Sequence, residues 1–418
     1  MMKKMLNLWN KVSYELGIFL VVLVQFITTR AYDVDAWSAP WNVLDYSMGN
    51  GSRLLVGSIY RLFYGDYLDQ VEAYRYNCVG IIIGIVAVSL VFGRMIRMVI
   101  AYTPEKRNVT VGMVILYLAA PFSMSYLWNN SNIGRLDTYL FLVGMLSLLV
   151  LLCIKNIYVK MLLVTVLGVA GLAIHQAYAF VYYPLIVAAM CADVFGEYKV
   201  NVKNLVMAVI SGVVEIAAFL YFQFGGGLYY DHPQQVVEVL SQRTDLPLPT
   251  DSIELEYFRD ITYVQNTLLR SFFAEEKPFL QLAVVCVLLA PVLIIYVLMW
   301  KDVFAYNKRE QKKLFCGPYV YVLLTNLVFI PIFAMQTDWG RWLAPLFAGQ
   351  IFIFLFYLAK KDAAMYYAAS KMWERVKKAP LAFAATIMWI GTLDSFGARS
   401  FQQQAWAIIY FFNHGFHQ

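Results

Sequence analysis

The stretch Tyr76-Asn77-Cys78-Val79-Gly80-Ile81-Ile82-Ile83-Gly84-Ile85-Val86-Ala87-Val88-Ser89-Leu90-Val91-Phe92-Gly93 contains no charged side chain. A bilayer core of about 30 Å needs roughly 20 apolar residues in a helix. Runs of this kind recur along the chain, near 14–30, 76–96, 109–127, 139–154, 158–174, 177–194, 204–222, 279–300, 314–335, 343–359 and 380–396. The expectation is an all-α polytopic membrane protein of about eleven transmembrane helices, forming one domain over 1–418. The stretch from 158 to 194 is too long for a single span and divides at His175-Gln176. The first run follows Lys3, Lys4 and Lys11, but no small-x-small cleavage site follows it, so a retained first span is expected.

Composition agrees. Hydrophobic residues make up 61% of the 418 positions and charged residues 14%. Soluble domains run near one half and one quarter. So few charges cannot cover a soluble surface, and lipid must cover much of it. The 17% aromatic content suits a membrane–water boundary. The five cysteines, Cys78, Cys153, Cys191, Cys286 and Cys316, lie scattered in apolar runs. Their spacing gives no zinc site, CxxC motif or disulfide framework.

Lysine and arginine set the orientation, because cytoplasmic segments carry the excess. With the N-terminus inside, the inner segments 1–13, 94–107, 155–160, 199–203, 301–313 and 360–378 hold 22 of the 33 Lys and Arg. Of the 11 left outside, only Lys277 is a lysine, while 18 of the 27 acids fall outside or at the outer edge. N-in, C-out is therefore expected. It leaves two large outer loops, 31–75 and 223–278, the second with a short surface helix near 251–271. The longest inner stretch is about twenty residues, too short for a nucleotide fold or P-loop, and no nucleic-acid partner is expected. Any chemistry belongs within the membrane or at its outer face.

The first outer loop opens Tyr32-Asp33-Val34-Asp35-Ala36-Trp37. One carboxylate of such a pair can accept a proton from a hydroxyl nucleophile, and the other can orient substrate or hold a divalent metal. Outer arginines need a reason, because the positive-inside bias disfavours them. Four share a form: Gly51-Ser52-Arg53, Gly134-Arg135, Gly340-Arg341 and Gly397-Ala398-Arg399. Glycine allows close backbone approach, and guanidinium grips phosphate bidentately. Pairing with a nearby acid or lipid headgroup is the plainer explanation for any one of them.

Arg135-Leu136-Asp137 and Gln336-Thr337-Asp338-Trp339-Gly340-Arg341-Trp342 each bring an acid and an arginine to the same depth. Trp37, Trp41, Trp128, Trp339 and Trp342 crowd that level, as belt residues or as a stacking platform for a sugar. His175 and Gln176 sit at a helical tip, where a histidine can bind phosphate or relay a proton. Glu215 lies inside the seventh span and is the best handle for a proton-coupled transporter.

On these residues the chain resembles the GT-C superfamily of integral-membrane glycosyltransferases. The stretch Tyr32-Asp33-Val34-Asp35 followed by Gly49-Asn50-Gly51-Ser52-Arg53-Leu54-Leu55 looks like the first loop of bacterial serotype-converting O-antigen glucosyltransferases. The segment Asn129-Asn130-Ser131-Asn132-Ile133-Gly134-Arg135-Leu136-Asp137 is similar to their second-loop pattern. The likeness covers about the first 190 residues. It departs in having DxD where adjacent acids are common and Gly-Ser-Arg where Gly-Arg is usual, which leaves the base open between Asp33 and Asp35.

The resemblance implies a polyprenyl-phosphate-linked sugar donor and a glycan or glycolipid acceptor at the outer face of a bacterial cytoplasmic membrane. Asp35 or Asp33 would deprotonate the acceptor, and inversion would follow. Arg53, Arg135, Arg341 and His175 would hold the donor phosphate, and Asp137, Gln176, Asp338, Trp339 and Trp37 would contact substrate. Two other readings remain: a polysaccharide polymerase or ligase, which depends on outer arginines without a first-loop acid, and a lipid-linked sugar flippase or transporter.

Overall fold

The computed structural model describes residues 2–129, 132–259, 261–313, 315 and 317–396. Cys316, Gly397-Ala398-Arg399 and the Asn130-Ser131 part of the second-loop motif lie outside the described residues. The described chain is helical without strands, apart from two isolated bridges. The helices are α1 (Met2–Thr29), α2 (Leu55–Tyr64), α3 (Gln70–Tyr102), α4 (Arg107–Ala119), α5 (Asp137–Cys153), α6 (Ile157–Ile174), α7 (Tyr178–Val181), α8 (Tyr183–Val194) and α9 (Val202–Leu220). There follow α10 (Pro233–Ser241), α11 (Thr250–Tyr257), α12 (Ile261–Tyr263), α13 (Pro278–Leu288), α14 (Ala290–Arg309), α15 (Tyr319–Thr325), α16 (Ile330–Met335), α17 (Trp339–Ala359), α18 (Ala363–Lys378) and α19 (Pro380–Gly391).

Each apolar run contains helix, and the break after α6 falls at His175 as expected. The count of full-length spans is smaller. Among the described residues, six helical segments are long and apolar enough to cross a membrane, or seven if α13 and α14, bent by 74°, form one span. Part of the shortfall has a covalent cause: the runs at 177–194 and 279–300 break just before Pro184 and Pro291, where proline lacks the amide donor that would continue the helix. The helices Asp137–Cys153, Tyr319–Met335 and Pro380–Gly391 fall short by length alone.

The chain packs α1 on α3, α3 on α5, α5 on α6 and α6 on α9. The centre is α17, whose apolar window is 83% buried against 11% for the peripheral α9. Phe352 of α17 stacks on Phe92 of α3 at 4.9 Å, with Tyr117 of α4 edge-on at 5.3 Å. Because lipid is as apolar as leucine, such close packing, not water exclusion, holds the helices together.

The two ends of the bundle differ chemically. At one end Lys160 and Lys360 share Asp193 at 2.6 and 3.0 Å, Lys360 also caps Leu151 O at 2.9 Å, and Arg375 grips Asp302. At the other, the C-termini of α1 and α6 meet the N-termini of α5 and α17, and the cations there are arginines.

The segments 31–75 and 223–278 are not independent loops. Asn50 donates to Gly227 O at 2.9 Å, Tyr229 to Met48 O at 2.9 Å, and Leu68 to Arg243 O at 2.8 Å. The Thr244 hydroxyl donates to Leu68 O at 2.6 Å. At Gly57 a Cβ would lie 2.0 Å from Leu44 O, so α2 can dock only through glycine. The clasp centres on Asp45, only 2% exposed, which accepts from Ser47 and pairs with Arg61 at 2.9 Å and Arg243 at 3.0 Å. Burial alone would raise the Asp45 pKa, but the Ser47 hydrogen bonds and the two guanidinium charges outweigh it and hold the carboxyl below its ordinary range. Near 251–271, where one short surface helix is expected, the described residues form the short helices α11 and α12 and a π-helical turn at Val264–Leu269, and α10 is additional.

A group with a depressed folded pKa stabilises above its unfolded value and loses that contribution as pH falls through the folded one. Replacing Asp45 by Asn should therefore cost about 1.5–3 kcal/mol at neutral pH. In thermal melts of the purified protein, the gap between parent and variant should close below about pH 4. Equal melting temperatures at pH 7 would contradict this clasp.

Candidate functional site

The site begins where α1 ends. Ala31 donates to Trp128 O at 3.0 Å and Asp35 to Ile133 O at 2.7 Å, so residues 31–35 lie along the segment leading to Arg135. That segment turns at Gly134, where φ is +97° and a Cβ would lie 2.6 Å from Val34 Cγ1, so both backbone and space favour glycine. Arg135 then reaches Asp35 at 3.4 Å and Asp338 at 3.8 Å. Asp338 precedes α17 and pairs with Arg341 at 2.5 Å, and Arg341 reaches across to Asp137, the first residue of α5, also at 2.5 Å. A carboxylate in the first turn of a helix is favoured by the axial dipole. Three segments distant in sequence thus meet in one chain of charges: Asp35, Arg135, Asp338, Arg341, Asp137.

Arg53 stands on a second wall. Its backbone is left-handed, φ +68°, and its amide donates to Ala173 O at 2.8 Å. The guanidinium lies 5.0 Å over the Trp41 ring and pairs with Glu256 of α11 at 2.6 Å. His175, at the break after α6, accepts the Ala177 amide at Nδ1 over 3.0 Å. The neutral ring therefore carries its proton on Nε2. Burial, then the charges of Arg53 and Arg341, push its pKa well below the ordinary value. In this geometry a neutral His175 offers its Nε2–H as a donor.

Two adjoining cavities open here. One, of about 260 Å³, is polar and is lined by Trp37, Ser38, Trp41, Arg53, Arg135, Asp338 and Arg341 among others. Its neighbour, of about 460 Å³, is lined by Gln176, Phe180, Phe219, Phe224, Ile332 and Met335 on its apolar side. Arg53, His175, Glu256, Gln336 and Trp342 border both. Buried polar atoms without partners among the described residues collect at this place: Asp35 Oδ2, the Nε atoms of Arg53, Arg135 and Arg341, and Trp342 Nε1. Buried polar groups are ordinarily satisfied, so a cluster of exceptions marks a place for a ligand or water.

The residues expected from sequence divide accordingly. Arg53, Arg135, Arg341, His175, Asp338 and Trp37 line the polar cavity, and Gln176 lines the apolar one. Asp35 and Asp137 line neither cavity themselves; each pairs with an arginine that does, Asp35 with Arg135 and Asp137 with Arg341. Two residues fall elsewhere. A bend at Tyr32-Asp33 turns Asp33 into solvent, so the DxD acids do not converge. No group of three potential metal ligands occurs among the described residues, and the pair offers no chelate for a divalent metal. Trp339 is two residues, about 200° of helix, from Arg341. It packs instead among Phe272, Phe279 and Phe333, with its indole N–H on Phe333 O at 2.9 Å. Glu256, Gln336 and Ser38 are additions. Nothing local in the acidic Ile253-Glu254-Leu255-Glu256 singles out its second acid, because the contact with Arg53 spans more than two hundred residues.

The described chain is a helical bundle with several segments long and apolar enough to cross a membrane and a charged double cavity at one end. No protein-family model matches it, and no curated protein or solved structure is significantly similar to it.

Arg341 and Asp137 are both buried; removing Arg341 strands the Asp137 charge, whereas removing Asp137 leaves Arg341 with Asp338. Arg341→Ala should cost about 3–5 kcal/mol and Asp137→Ala less, with the double variant costing well below the sum. Denaturation of the four proteins in one detergent measures the coupling; additive losses would contradict a direct pair.

Proposed function

We propose that this protein is an inverting membrane glycosyltransferase. It moves a sugar from a polyprenyl-phosphate donor to a hydroxyl of a glycan or glycolipid acceptor. The proposal includes eleven membrane passages, some by broken or short helices, with the N-terminus in the cytoplasm and the cavities at the outer face of a bacterial cytoplasmic membrane. The observation that carries it is the junction of the two cavities. A lipid-linked sugar phosphate has an apolar tail, an anionic link and a polar head in that order. The apolar cavity, the arginines with the His175 donor, and the polar cavity with its tryptophans follow the same order.

In this reading Asp35 Oδ2, buried and unpartnered, takes the proton of the acceptor hydroxyl. That oxygen attacks the anomeric carbon from the face opposite the phosphate. The carbon–oxygen bond to phosphate breaks, and the phosphate leaves with the electron pair. Arg53, Arg135 and Arg341 stabilise the departing charge, and preorganised groups of this kind are typically worth several kcal/mol of barrier. Asp338 and Asp137 hold the arginines in place.

The test is sugar transfer by the purified protein from a panel of polyprenyl-phosphate sugars. Asp35→Asn should lower the rate about 10²-fold or more, the usual contribution of a general base. Asp33→Asn should leave it near that of the parent. Full transfer by both variants would remove the base and favour a polymerase or ligase working through its arginines alone.

A further inference from the structure

Every arginine on the cavity walls is already neutralised. Arg53 pairs with Glu256, Arg135 with Asp35 and Asp338, Arg341 with Asp137 and Asp338, and Arg259 with Glu254. Four guanidinium groups thus face five carboxylates. An anion entering such a site meets no net positive charge. For a phosphoryl group to bind, one carboxylate has to withdraw and release its arginine.

The geometry distinguishes which. Asp137 is 4% exposed in the first turn of α5 and locked to Arg341. Asp338 shares one helical turn and two arginines. Asp35 is fixed through its own amide. Glu254 is as long, but its partner Arg259 is 41% exposed and borders only the apolar cavity. Of the four carboxylates paired with the arginines of the polar cavity, Glu256 has the longest side chain and a single partner, and its side chain is 27% exposed near the C-terminal end of α11. The helix itself stays docked, because the Tyr257 hydroxyl donates to Ser52 O beside Arg53. Three side-chain torsions therefore suffice to move the carboxylate without moving its backbone. Arg53, by contrast, has no freedom to follow. Its left-handed backbone, its amide bond to Ala173 O and its seat over Trp41 hold it in place. Its Nε is buried without a partner.

We infer that Glu256 is a placeholder for a phosphoryl group: its carboxylate occupies the Arg53 guanidinium at the junction of the two cavities and is displaced when a phosphate-bearing ligand binds. The inference rests on the reading that the site takes a phosphate-linked lipid, and not on sugar transfer itself. The released guanidinium and the Nε2–H of His175 then face the same oxygens, since both residues border both cavities. Return of Glu256 to Arg53 expels the phosphate product and resets the site. The apolar cavity alongside favours a lipid phosphate over a free one.

The experiment measures equilibrium binding of farnesyl phosphate, of neutral farnesol and of inorganic phosphate to the full-length protein in nanodiscs. Parent, Glu256→Gln and Glu256→Gln/Arg53→Gln are compared. Removing the competing charge while keeping its shape should tighten farnesyl phosphate binding about tenfold, the worth of one charge-assisted contact. Farnesol should be unaffected, and the double variant should lose the gain. Glu256→Asp, which retracts the carboxylate by one methylene, should shift affinity in the same direction by less, and it serves if the Gln variant fails to fold. Unchanged or weaker binding to both Glu256 variants would overturn the inference, as would an equal gain for farnesol. An equal gain for inorganic phosphate would uphold the placeholder and reject the lipid as its ligand. A binding gain in a protein that transfers no sugar would uphold it while rejecting the glycosyltransferase reading.

Discussion

A guanidinium group that cannot reach water must find a carboxylate, and this requirement organises the whole site. Arg341 is buried at the start of the most enclosed helix of the bundle and is met by Asp137 and Asp338. The Asp137 pair docks α5 on α17, the Asp338 pair lies within one turn at the start of α17, and Arg135 ties the chain after α1 to that same place. The desolvation cost of such pairs is large enough that hydrophobic replacements often do as well for stability. Their retention here fits a site that needs positive charge held ready in a cavity, with carboxylates restraining it until a ligand arrives.

The second organising contact is the clasp between 31–75 and 223–278. Backbone bonds and the Asp45 network fix the first segment to the second, and this delivers α11 and Glu256 to Arg53. A chain that opened these segments independently would leave Arg53 facing solvent. The clasp therefore connects the surface of the protein to the chemistry of its cavity.

Much of this was legible in the sequence for simple reasons. Apolar runs must be helical in lipid, so their positions were readable. Arginine on the lysine-poor side conflicts with insertion statistics, so Arg53, Arg135 and Arg341 stood out. Each lies on the cavity. The number of full spans was not legible from hydropathy, although Pro184 and Pro291 carried the signal that two runs would break. Asp33 and Asp35 looked equivalent, and only the bend between Tyr32 and the turn at Ala36–Asn42 separates them. Trp339 was misread because depth was inferred without the helical angle that turns it from Arg341. Glu256 was invisible, because its meaning comes from a contact 203 positions away.

The central claim is that guanidinium groups from separate segments converge on one ligand. A cryo-EM structure of the protein in nanodiscs with a short polyprenyl phosphate tests it most directly. The account predicts phosphate density bounded by Arg53, Arg135, Arg341 and His175, with the chain running along Phe180 and Phe219. Density bound elsewhere, or these arginines on separate surfaces, would contradict it.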